Sequence, residues 1–179
     1  MKRIALLALL LSGCAGSGDT PPQTDAAADV TPQVSATTPQ SDGYAPTDVT
    51  YAADLGVDLE AMSLQESGLY IQVLREGEGP QAVPGDRMGI HYTVWLTDGS
   101  KLDSSFDHQP PEPYGIVLRE TSLIEGWNEG VTGMRLGEKR RLVVPYQLAY
   151  GPNGRPGVPG YATLVFEVEL ATHTPASGD

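Results

Sequence analysis

Two stretches of this chain alternate apolar and smaller or polar residues with a period of two, and they restrict the possible folds more than any other feature. In 87–96, Met88, Ile90, Tyr92 and Val94 fall on one face, and Gly89, His91, Thr93 and Trp95 on the other. In 162–171, Leu164, Phe166, Val168 and Leu170 oppose Val165, Glu167 and Glu169. Such strands present an apolar face that must be covered by a second layer. From Gly68 onward only 123–131 reads as that layer. Ile124, Trp127 and Val131 share one helical face there, and Ser122 with Glu125 three residues on has capping-box spacing. The segment makes about two turns and carries Gly126 and Gly130, each costing roughly 1 kcal/mol in a helix. It forms only if packing holds it, with Trp127 as its largest apolar group.

The remaining elements complete an antiparallel pattern. Residues 69–74, 101–105, 114–118 and 138–144 read as further strands. Gly77-Glu78-Gly79-Pro80, Pro84-Gly85-Asp86 and Asp98-Gly99 mark turns, the last a hairpin needing positive φ. Residues 152–160 carry three prolines and three glycines, too many for a regular element. The class is α+β, with a domain at 68–171 and a flexible tail at 172–179.

The first 67 residues have a different character. Lys2 and Arg3 precede an apolar run at 4–11, too short to span a bilayer, which ends in Leu11-Ser12-Gly13-Cys14. Cys14 is the only cysteine, so an internal disulfide is excluded. The tetrapeptide resembles a bacterial lipobox, which implies a signal peptide at 1–13 and lipidation of Cys14. Ala15, rather than aspartate, follows; by the same resemblance the anchor leans to the outer membrane, facing the periplasm. Residues 14–67 read as a Thr/Pro/Ala-rich tether with nine acidic residues and no basic ones, and 68–179 carry 14 acidic and 9 basic. The net charge of −12 argues against a nucleic-acid partner. Within the tether, Leu55, Leu59 and Met62 share a helical face, so 51–66 is either a short helix docked on the domain or the tether's end.

The sequence has no phosphate-cradling glycine loop, no Cys/His metal spacing and no nucleophile elbow. Aromatic residues instead gather near turns and element ends: Tyr92, Tyr114, Trp127, Tyr150 and Phe166. They suggest an apolar pocket with a few polar tips.

Six segments now carry a resemblance: Ile90-His91-Tyr92-Thr93, Asp98-Gly99, Leu102-Asp103-Ser104-Ser105, Ile124-Glu125-Gly126-Trp127, Leu148-Ala149-Tyr150-Gly151, and 162–170. In this order and approximate spacing they resemble the FKBP-type peptidyl-prolyl cis-trans isomerases. The resemblance implies an FKBP-like twisted antiparallel sheet wrapped over one short helix. It also implies isomerisation of X-Pro bonds in envelope proteins, without cofactor or metal. Trp127 would be the pocket floor, with Tyr92, Tyr114 and Phe166 as walls. Leu123 and Ile124 would form the rim, with the Ile124 N–H donating to substrate. Asp103 would be a buried polar group, Tyr150 a hydroxyl donor, and Val158 the closure from the proline-rich loop. Leu102 stands where phenylalanine is usual, and Arg155 where histidine is frequent. Implied partners are proline-containing clients, tacrolimus- or rapamycin-like macrolides and a membrane reached through the lipid anchor; with no long heptad pattern in the sequence, a monomer is expected. The other function open to the sequence is a tethered proline-segment binding or chaperone module with little turnover.

Overall fold

The strand read at 87–96 forms the longest-paired element of the fold, and everything near the pocket is registered to it. The computed structural model describes residues 43–176; the expected signal peptide, Cys14 and the first part of the tether lie outside the described residues. The strands are β1 (Ser63–Leu64), β2 (Tyr70–Arg75), β3 (Arg87–Leu96), β4 (Lys101–Ser104), β5 (Tyr114–Val117), β6 (Lys139–Val144) and β7 (Leu164–Thr174). The helix α1 spans Glu125–Val131. All strand pairs are antiparallel, in the order β1-β2-β6-β7-β3. The far edge of β3 is shared: β4 pairs with Thr93–Trp95 and β5 with Arg87–Ile90.

The predicted alternation is realised as two opposite faces. Ile90, Val94, Leu142, Val144, Leu164, Phe166, Val168 and Leu170 point into the main core, together with Trp127 and Val131 of α1. The helix lies close on β6 because of its glycines. A Cβ at Gly126 would run into Val144, and one at Gly130 into Leu142. The glycines that weaken the helix locally therefore permit the contact that holds it. Its C-terminal end is tied from β6: the Arg140 guanidinium donates to the carbonyls of Gly130 (2.9 Å) and Thr132 (3.0 Å) and pairs with Glu138 at 2.6 Å. The expected capping box is absent. The N-cap is Ile124, which makes no side-chain cap bond, while Glu125 instead meets Arg119 at 3.0 Å. Packing on β6 holds the helix without an N-terminal cap, and the Arg140 bonds secure its other end.

The opposite sheet face also carries a core, which moves the domain boundary. Val143 and Val165 are buried there against Leu55 and Met62, with Tyr70, Trp95 and Leu59 alongside. Residues 51–64 thus belong to the folded unit, as two single-turn 3₁₀ segments, Ala53–Leu55 and Leu59–Ala61, followed by β1. Burying side chains of this size is worth roughly 1.5–3 kcal/mol each, enough to order a short strap. The Arg141 guanidinium reinforces it by donating to the Gly56 carbonyl and to Glu167 (2.7 Å). The tail begins later than residue 172: β7 runs to Thr174, and the Ala176 N–H donates to Asp86 Oδ1 at 2.8 Å.

Candidate active site

Side chains on β3 project alternately, so Tyr92 and Val94 lie on the same face as the core residues and open into a cavity above α1. The cavity measures about 740 Å³. Trp127 lies at its base, 4% exposed, with the Tyr92 ring edge-on at 5.6 Å. Tyr114, from the first residue of β5, stands 6.3 Å from the indole and 6.3 Å from Tyr92. Phe166, from β7, closes the fourth side at 6.3 Å. Interplanar angles of 66° to 88° make each pair edge-to-face, the arrangement favoured by aromatic quadrupoles. The indole N–H is buried and unpaired among the described residues, so what Trp127 offers the cavity is its ring face.

The polar edge is built by the β3–β4 hairpin. The buried hydroxyls of Ser104 and Ser105 fasten β4 to β3: Ser105 Oγ accepts the Tyr92 N–H at 3.0 Å, and Ser104 and Thr93 hydroxyls meet at 2.8 Å. This fixes Asp103 beside Tyr92, whose hydroxyl donates to Asp103 Oδ2 at 2.7 Å. Burial, reinforced by that carboxylate, pushes the Tyr92 phenol well above its usual range, so it stays protonated and donating. Asp103 itself is exposed, not buried as expected. Its other oxygen accepts the Ser104 N–H at 2.8 Å.

The third wall comes from the segment after β6. Pro145 ends that strand, and a turn at Tyr146–Leu148 brings Leu148, Ala149 and Tyr150 to the cavity. Leu123 and Ile124 form the opposite rim, and among the described residues no hydrogen bond takes up the Ile124 N–H. Of the residues expected at the site, Tyr92, Leu102, Asp103, Tyr114, Leu123, Ile124, Trp127, Tyr150 and Phe166 meet around this one cavity. Val158 does not: it is 5% exposed and part of the main core. The loop contributes Arg155 instead, whose guanidinium lies 4.3 Å over the Tyr150 ring. Val94, Leu164 and Gln147 also line the cavity and were not singled out from the sequence. The two apolar ones stand on the alternating faces already identified, a signal that could have found them; Gln147 had none.

The sequence model of the family described as "FKBP-type peptidyl-prolyl cis-trans isomerase" matches residues 79–171. Among curated relatives, an FK506-binding protein of Neisseria meningitidis serogroup B is 48% identical over 104 residues, covering 58% of this chain and 94% of that protein. An FKBP-type peptidyl-prolyl cis-trans isomerase, FkpA, of Aeromonas hydrophila is 41% identical over 119 residues, 66% of this chain and 43% of that protein. Among solved structures, FkpA from Escherichia coli aligns with a TM-score of 0.60 at 36% identity, over 66% of this chain and 54% of that one. The chain thus spans about half the length of that structure, and matches nearly the whole of the shorter neisserial relative.

Proposed function

The chain belongs to the FKBP-type peptidyl-prolyl cis-trans isomerases, and from that premise we propose that the cavity over Trp127 is where its X-Pro bond is bound and twisted. The observation that carries this reading is the indole ringed edge-on by Tyr92, Tyr114 and Phe166. A flat apolar floor with aromatic walls accepts a proline ring. Peptide groups on either side are left to the polar edge, where the Tyr150 hydroxyl and the Ile124 N–H donate to substrate carbonyls.

Rotation about an amide bond makes and breaks no covalent bond, so no nucleophile is needed. The barrier is roughly 20 kcal/mol, and the unaided reaction takes tens to hundreds of seconds. A thousandfold acceleration requires about 4 kcal/mol. The planar amide is the more dipolar state, because twisting removes resonance and its charge separation. An apolar cavity therefore favours the twisted form, provided contacts outside it retain the peptide. The Tyr92–Asp103 hydrogen bond satisfies both polar groups where they meet the aromatic wall, so neither is left to compete for the bound amide.

Further parts of the proposal concern ligands and location. The cavity's volume lies in the range of drug-sized ligand sites, and relatives named FK506-binding proteins support macrolides of that class entering it. The lipobox-like Leu11-Ser12-Gly13-Cys14 supports a lipid anchor at Cys14 on the outer membrane, with envelope proteins as clients. Mass spectrometry of the membrane fraction should find an acylated Cys14 as the first residue; an unmodified cysteine or a later N-terminus would refute the anchor. A protease-coupled cis/trans assay on X-Pro peptides, with wild type and Trp127→Leu, tests the site. The expected result is loss of turnover in a variant that still melts cooperatively, with a lower midpoint because the buried indole is replaced by a smaller side chain.

A further inference from the structure

The loop that follows Tyr150 holds one cation at the mouth of the cavity, and its construction is unusually firm. Arg155 and Val158 exchange two backbone hydrogen bonds, Arg155 N–H to the Val158 carbonyl at 2.9 Å and Val158 N–H to the Arg155 carbonyl at 2.8 Å. Pro156 and Gly157 occupy the two central positions of this turn, and Gly157 has φ +83°, the pairing a type II turn requires. The Val158 side chain is sunk into the main core and anchors the turn from below. The Arg155 guanidinium, on the other side, lies 4.3 Å over the Tyr150 ring. The turn sets the backbone and the aromatic face supports the charge.

The charges around it differ in one respect. Three charged side chains line the cavity: Asp103, Glu125 and Arg155. Asp103 accepts from Tyr92 and Ser104. Glu125 is paired with Arg119 at 3.0 Å. Among the described residues Arg155 meets no carboxylate, and its only charge-related contact is with the Tyr150 ring. A planar guanidinium in that state retains its donors for a carboxylate brought by something else.

We infer that Arg155 is a specificity-determining residue that favours clients carrying an aspartate or glutamate next to the proline. The inference rests on the pocket reading above. The field of the whole chain, at a net charge of −12, opposes such clients at long range. Preference must therefore come from the short-range contact, and it acts on ground state and transition state alike. It appears in KM and leaves kcat little changed.

The test uses peptides of the form Ala-Glu-Pro-Phe and Ala-Pro-Glu-Phe, with both ends blocked so that the glutamate carries the only charge, against the same peptides with alanine or lysine in place of glutamate. The quantity read is the ratio of kcat/KM between glutamate and alanine peptides on the same enzyme. Wild type should favour glutamate in at least one register by roughly two- to fivefold, the range of an exposed ion pair. Lysine should fall at or below alanine. Arg155→Gln should bring the ratio to about one, and Arg155→Lys should keep part of it. The part of the preference that Arg155→Gln removes should shrink as salt is raised. A wild-type ratio of one in both registers, or an unchanged ratio in Arg155→Gln, overturns the inference. Failure of the pocket reading looks different: Trp127→Leu would then leave turnover of every peptide, charged or neutral, at the wild-type value.

Discussion

The Tyr44 ring stacks on the Tyr161 ring, centroids 4.3 Å apart and planes within 21°. One belongs to the segment leading out of the tether; the other closes the loop that carries Arg155. Tyr161 in turn sits edge-on to Tyr146 at 5.0 Å, at the start of the turn that delivers Tyr150 to the cavity. Its N–H donates to the Gly151 carbonyl at 3.1 Å, and its φ of +60° is a conformation that a tyrosine adopts only under constraint.

Tyr44 falls in the stretch 14–67 that reads as tether from the sequence, yet its stack on Tyr161 predicts a contribution to stability. Tyr44→Ala should lower stability by an amount at the low end of about 0.5–1.5 kcal/mol, since both rings are partly exposed. Tyr44→Phe should retain most of it. Denaturant melts of the two variants and of chains starting at 43 and at 46 check this; coincident midpoints for all four would show that the stack contributes nothing.

Gly130→Ala sets two magnitudes against each other. Alanine improves helix propensity by roughly 1 kcal/mol. The added methyl meets Leu142 on β6, and overpacking costs about 1–3 kcal/mol. The expected outcome is net destabilisation in thermal melts. A stabilised variant would mean that α1 can retreat from the sheet.

Around the indole, Tyr150→Phe should reduce turnover by roughly two- to tenfold, the effect of one hydrogen bond of about 0.5–1.5 kcal/mol. Tyr92→Phe should act on Asp103 as well, because it removes the donor to that carboxylate. Because Asp103 is exposed, Asp103→Ala should cost little in stability. Activity and melting temperature measured side by side decide the matter. Full activity in all three variants would place the reaction elsewhere.

Acid should unfold the protein partly through Asp86. Burial alone would raise the Asp86 pKa, but the N–H groups of Val83 and Ala176 and the His173 ring outweigh it and hold the value below 3.8. Between the folded value and 3.8 the unfolded chain binds more protons, so stability rises with pH there. The contribution is complete above the unfolded value and is lost as pH falls through the folded one. Asp86→Asn should flatten this part of the stability–pH curve. It should also cost about 1–3 kcal/mol at neutral pH by leaving a buried donor unpaired. An unaltered curve below pH ~4 would assign the acid sensitivity to other carboxylates, with Glu167, held low by Lys139 and Arg141 against its burial, the next to replace.

The strands were legible because a period of two is written residue by residue: β3 spans the stretch its alternation marks, and Leu164 to Leu170 face the core as their spacing requires. The Asp98-Gly99 hairpin was legible too, since its geometry is set by the φ of one residue, Gly99 at +89°. The ring of Tyr92, Tyr114 and Phe166 around Trp127 came from motif resemblance, not from any local rule.

Other features depended on partners far away in the chain. Leu55 and Met62 carry too little apolar surface to order themselves; they fold because Val143 and Val165, far along the chain, present a second apolar face. Whether Val158 or Arg155 faces the cavity was decided by a four-residue turn lying against a preassembled core, where reversing the turn exchanges an apolar side chain for a charged one. The sequence by itself determined the strands, the turns and the weakness of the helix, because each depends on neighbours within a few residues. Tertiary structure alone decided what covers the outer face, how exposed Asp103 is and which charge guards the pocket, because burial is a property of surfaces brought together only when the whole chain has folded.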